Sequence, residues 1–75
     1  MAKINKIWVY NYKVKHPEYI GYYGGEVTVS THKEDPAEKA LAKARTQVVS
    51  TLNNRSIELD EQHEVEISLD VSYVL

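Results

Sequence analysis

Between residues 62 and 75 apolar or ring-bearing side chains fall at every second position, with His63, Val65, Ile67, Leu69, Val71, Tyr73 and Leu75 alternating against Glu64, Glu66, Ser68, Asp70 and Ser72. A period of two is that of a strand with one face buried and the other, here acidic, turned outward. Residues Lys3 to Lys15 carry a different pattern, with Ile4, Trp8, Tyr10, Tyr12 and Val14 on even positions and Ile7 and Val9 on odd ones. Apolar groups on both faces predict a strand in the middle of its sheet. His16-Pro17-Glu18 ends it, because proline lacks a ladder donor and restrains the residue before it, and a hairpin turn is expected there.

The second strand is expected over Tyr19 to Thr31, where Val27 and Val29 alternate with Glu26, Thr28 and Ser30. Gly21, Gly24 and Gly25 interrupt its tyrosine-rich first half. Glycines inside a strand mark a bulge, a bend or a close backbone approach, and a kink is expected at Gly24-Gly25. Further on, Asp35-Pro36-Ala37-Glu38 reads as a helix start, with Asp35 as N-cap and Pro36 at the first helical position. Ala37, Leu41, Ala44, Val48 and Leu52 then recur at spacings that place them on one stripe. Asn53-Asn54 closes the helix, and the connector Arg55 to Gln62 returns Ile57 and Leu59 toward the core.

The elements run β-β-α-β, an α+β chain. A helical crossover between the second and third strands makes those two parallel, with the first strand antiparallel between them. The prediction is a three-stranded, mainly antiparallel sheet of order 2-1-3 with one helix on one face, in a single domain spanning residues 1-75. The other sheet face has no helix to cover it.

Composition narrows the function classes. Nine Lys and Arg against 11 Asp and Glu give a formal net charge of -2, which argues against sequence-independent phosphate binding. With no cysteine, disulfide staples and thiolate metal sites are excluded. A chain of 75 residues holds a small core, and association with a second copy or a partner would relieve that shortage. No signal-peptide core and no membrane-length apolar run is present, and a cytoplasmic location with no membrane role is expected.

The uncovered sheet face is the first place to seek a site. If Ile7 and Val9 point to the helix, then Trp8, Tyr10 and Tyr12 form an exposed aromatic row flanked by Glu64, Glu66 and Asp70. Trp and Tyr dominate binding hot spots. If the strand faces the other way, the same rings fill the core beside the alanines of the helix; a parity choice that one bulge can invert leaves both facings open. Tyr22 and Tyr23, beside Gly24 and Gly25, are candidates for a second contact with a partner.

His16, His32 and His63 have no spacing typical of a metal site. They are expected as exposed polar residues at element ends, with His32 and Glu34 the local pair worth testing. No catalytic residue, cofactor or metal is assigned, and an enzyme is not expected. The expected function is a small protein-binding module, a regulator or inhibitor of bacterial or phage type, that holds a larger protein through Trp8, Tyr10, Tyr12, Tyr22, Tyr23, Glu64, Glu66 and Asp70. Homodimerisation through an unprotected edge strand is a companion expectation. The alternative is a nucleic-acid-binding domain that stacks tyrosines on bases and holds phosphate with Lys39, Lys43 and Arg45. The acids beside the tyrosines count against it.

Overall fold

A computed structural model of the chain describes residues 4–75. Four elements follow in order: β1 (Asn5–Lys15), β2 (Tyr22–His32), α1 (Ala37–Asn54) and β3 (Glu64–Val74). They form a three-stranded sheet of order β2-β1-β3, in which β1 is antiparallel to both neighbours. The predicted β-β-α-β architecture is the one observed. Lys3, at which the first strand was expected to begin, lies outside the described residues.

The β1–β2 ladder runs without a register shift from Asn5 opposite His32 to Lys15 opposite Tyr22. The register is unbroken at Gly24-Gly25, where a kink was expected, and close approach is the reason for a glycine at position 25. A Cβ on Gly25 would lie 2.6 Å from the Tyr12 hydroxyl oxygen. The β1–β3 ladder does contain an irregularity. Tyr10 lies opposite Leu69 and Val9 opposite Val71, so Asp70 is an extra residue on β3. Such a bulge reverses the facing of everything beyond it.

The facing of β1 is settled by burial. Trp8, Tyr10 and Tyr12 are 5%, 4% and 4% exposed and pack with Val14, Val27, Val29, Ala40, Ala44, Val48 and Leu52 in one core. The aromatic row is therefore interior. Small alanines let α1 sit close to the sheet, and large rings on the strand fill the space that leucines on the helix would otherwise take. The buried helical residues Ala40, Ala44, Val48 and Leu52 follow the i, i+4 ridge. Of the expected stripe, Ala37 is exposed and Leu41 half-buried, with Ala40 taking the inward position.

Both helix ends differ from expectation in detail. The cap position is Pro36, with no side-chain cap bond, and Asp35 instead accepts the His32 backbone N–H at 3.0 Å while lying 3.4 Å from Lys39 Nζ. Its charge still sits beside the helix N-terminus, where it is favourable. At the other end the left-handed residue is Ser56, φ 63°, rather than an asparagine. Its N–H donates to Asn53 O at 3.0 Å and that of Ile57 to Leu52 O at 2.9 Å, a Schellman closure. Ile57 is thereby returned to the core with Leu59, as the connector pattern predicted.

Candidate functional site

The helix packs over β2 and β1. Lys43 Nζ donates to the Ser30 backbone oxygen at 2.9 Å, placing a charged side chain on the β2 edge strand. That is a recognised form of edge protection. β3 is treated differently, since every buried residue of the core lies on β1, β2 or α1. Val65 and Ile67 are only partly covered, and Leu69, Val71, Tyr73 and Val74 are 50%, 47%, 49% and 49% exposed.

The bulge at Asp70 divides these side chains between two faces. Val65, Ile67 and Leu69 share the helix side with Val14, Tyr12 and Tyr10, and Ser72 and Val74 share it opposite Trp8 and Lys6. Val71 and Tyr73 lie opposite Val9 and Ile7 on the open side. Val71, one of the alternating set expected on the buried face, lies on the open face for this reason. Paired across the strands, Ile7 with Tyr73 and Val9 with Val71 form an apolar patch at one end of the open face, where half-buried and half-exposed side chains meet.

The other end of the open face is polar. Glu66 lies opposite Lys13 and Glu64 opposite Lys15, and Lys15 Nζ reaches Glu66 at 3.9 Å. Lys13 Nζ stands 5.0 Å over the Tyr22 ring, at the rim of a shallow depression above Gly24 and Glu26. These exposed pairs are worth about 0 to 1 kcal/mol each. Of the sequence-predicted site residues, the open face brings together Tyr22, Glu64 and Glu66. Asp70 sits at the bulge. Tyr23 projects to the helix side, since it lies opposite Val14, and meets Tyr19 edge-on at 5.0 Å. Trp8, Tyr10 and Tyr12 are core residues and are withdrawn as partner-binding groups.

A second constellation, missed by motif spacing, lies at the β1–β2 turn. Because Lys15 is opposite Glu64, His16 and His63 are neighbours, with ring centroids 4.4 Å apart. Their side chains are 7% and 6% exposed. Asp60 approaches both, with Oδ1 2.8 Å from His63 Nδ1 and Oδ2 3.7 Å from His16 Nε2. The Tyr19 hydroxyl is 2.9 Å from His63 Nε2. The signal that finds this cluster is topological: the strand order and pairing place both histidines at one sheet end, whatever their separation along the chain.

His16, Asp60 and His63 offer three metal-type ligand atoms within 4.8 Å of one another. Hydrogen bonds make the same cluster a latch between the turn and the connector. His16 Nδ1 accepts the Glu18 N–H at 3.1 Å and His63 Nδ1 accepts the Asp60 N–H at 3.0 Å. The other ring nitrogens face Asp60 from His16 and the Tyr19 hydroxyl from His63. His63 Nδ1 also lies 2.8 Å from Asp60 Oδ1, so the carboxylate and the ring are in direct contact.

The Gln62 N–H donates to Asp60 Oδ1 at 2.8 Å, and this bond, ahead of the histidine contacts, holds the Asp60 carboxyl below the usual carboxylate range. Desolvation, ahead of the charges of Tyr23, Asp60 and Glu18, raises Tyr19 above the usual phenol range. The cluster fastens the hairpin turn to the connector. His32 lies apart from it and engages Asp35 through its backbone. No family model, curated protein or solved structure matches the chain. No helix among the described residues is long and apolar enough to cross a membrane.

Proposed function

We propose that this chain is a small non-catalytic protein-binding module whose working surface is β3 and the apolar patch beside it. One observation carries the reading: four apolar side chains of a single edge strand, Leu69, Val71, Tyr73 and Val74, stand 47% to 50% exposed while the lone helix covers the other two strands. An edge strand of 11 residues with apolar groups on both faces is a template for a further strand, and the side chains beside it supply selectivity. This relocates the expected surface from the aromatic row to the opposite side of β1. It keeps the expected mode of action, that of a small regulator or inhibitor holding a larger protein.

The nucleic-acid alternative loses its stacking platform with the burial of Trp8, Tyr10 and Tyr12. The tyrosines exposed on the open face, Tyr22 and Tyr73, share it with Glu64 and Glu66, which repel phosphate. The deciding experiment compares partner capture by the wild-type chain, by Val71→Asp with Tyr73→Asp, and by a Glu38→Ala control on the exposed helix surface. Loss of the same captured protein in the strand variant alone, with circular dichroism unchanged, supports the reading. Equal capture by all three would remove β3 from the interaction.

A further inference from the structure

Resting on that reading, we propose that the strand added to β3 is the β3 of a second copy of this chain, antiparallel, about a two-fold axis passing between Leu69 and Asp70. Parity and charge together select the register. In an antiparallel pair, side chains directly opposite each other must lie on the same sheet face. An unbroken strand satisfies this about a two-fold only when the axis passes through a residue, because neighbouring side chains point to opposite faces.

Axes through residues serve β3 badly. Centring on Ile67 sets Glu64 against the partner's Asp70, and centring on Ser68 sets Glu66 against it. Centring on Leu69 opposes Ile67 and the partner's Val71, which lie on different faces, and centring on Asp70 sets that acid against itself. Like charges directly opposite are destabilising.

The bulge opens another register. Val65, Ile67, Ser72 and Val74 lie on the helix side, and Glu66, Ser68, Val71 and Tyr73 on the open side. With the axis between Leu69 and Asp70, Val65 meets the partner's Val74, Ile67 the partner's Ser72, Glu66 the partner's Tyr73 and Ser68 the partner's Val71. Each of these pairs shares a face and none sets an acid directly opposite an acid, while the two bulge residues themselves, each Asp70 opposite the partner's Leu69, flank the axis. The bulge that spoils the simple alternation of the strand is what makes its edge complementary to itself. The product is one sheet continuous through both copies, with both helices on one side and the two apolar patches brought together across the axis on the other.

Sedimentation velocity of the purified chain over a range of micromolar concentrations is expected to show a dimer. Tyr73→Glu, which sets a carboxylate against the partner's Glu66 at two symmetric places, should weaken dimerisation at least about fivefold. Adding Glu66→Lys should restore it. The natural chain has no cysteine, so Val65→Cys with Val74→Cys should oxidise to a linked dimer, whereas Val65→Cys with Val71→Cys, on opposite faces, should not. A wild-type chain that stays monomeric while Val71→Asp with Tyr73→Asp still abolishes target capture would overturn self-pairing and leave the binding reading standing. A dimer indifferent to Tyr73→Glu, or linked through the second cysteine pair, would overturn the register.

Discussion

The phenol end of Tyr12 occupies the space in which a side chain on Gly25 would lie, with Cζ 2.8 Å and Cε1 3.0 Å from the position of a Cβ there. The two residues are cross-strand partners, and the ring covers the bare glycine backbone while its own surface is buried. Gly25→Ala forces the ring to move inside a packed core. Overpacking of this kind costs about 1 to 3 kcal/mol, and the lower chain entropy of the unfolded state offsets only about 0.4 to 1 kcal/mol of it. Thermal unfolding should therefore show a lower Tm for Gly25→Ala. Gly21→Ala, where nothing lies within 4 Å, should be neutral or slightly stabilising; equal behaviour of the two variants would show that Tyr12 does not hold its place.

The same pair explains which parts of the fold were legible beforehand. Element order and strand order follow from local periodicity, the Pro17 turn and the crossover rule, and these suffice for the sheet 2-1-3. The facing of β1 does not follow, because Ile7 and Val9 on one side and Trp8 and Tyr10 on the other are equally apolar by pattern. Only the helix decides, through alanines too small to fill the core without the rings. The bulge at Asp70 was invisible for a related reason: the alternation from His63 to Leu75 is unbroken in the chain, and the extra residue exists only relative to β1. Tyr22 and Tyr23 read as one cluster along the sequence, yet strand alternation separates them. His16 and His63 could have been joined from the strand order together with the antiparallel pairing of β1 and β3.

Thr31 provides a buried hydroxyl for the largest ring in the core. Trp8 Nε1–H donates to Thr31 Oγ1 at 2.9 Å, and the Thr31 hydroxyl donates to His32 O at 3.1 Å. Thr31→Val keeps the shape and leaves the indole N–H buried without an acceptor, which costs about 1 to 3 kcal/mol. For a domain of this size that corresponds to a Tm lower by roughly 4 to 8 °C per kcal/mol. Thr31→Ser, which retains the hydroxyl, should lose less. A Thr31→Val protein as stable as the wild type would mean that the indole finds another partner.

Ser56 occupies the left-handed position of the helix closure at φ 63°, where a Cβ is unfavourable and glycine is the usual choice. Its backbone bonds to Asn53 and that of Ile57 to Leu52 would be unchanged by removal of the side chain. Ser56→Gly should stabilise the chain by about 0.5 to 1 kcal/mol, the strain relieved exceeding the entropy lost. Chemical denaturation with an unchanged m-value and a higher midpoint is the expected result. A lower midpoint would count against the strained closure.

The Asp60 latch should contribute to the acid sensitivity of the fold. The carboxyl of Asp60 is lowered, first by the Gln62 N–H and then by the His63 contacts. Asp35 is lowered as well, first by the His32 N–H and also by Lys39. A depressed folded-state pKa means that the stabilisation is present above the ordinary carboxylate range, near pH 4, and is lost as pH falls through the lowered value. Tyr19 has the opposite sense. Its pKa is raised, chiefly by desolvation, so its contribution is present below the ordinary phenol range and disappears as pH climbs through the raised value. Stability should therefore fall on both the acid and the alkaline limb. Asp60→Asn should flatten the acid limb and leave the part due to Asp35, whereas Tyr19→Phe should flatten the alkaline one. The readout is Tm against pH for the wild type and both variants. An acid limb of unchanged slope in Asp60→Asn would show that the fastening of the hairpin turn to the connector does not depend on the charge of this carboxylate.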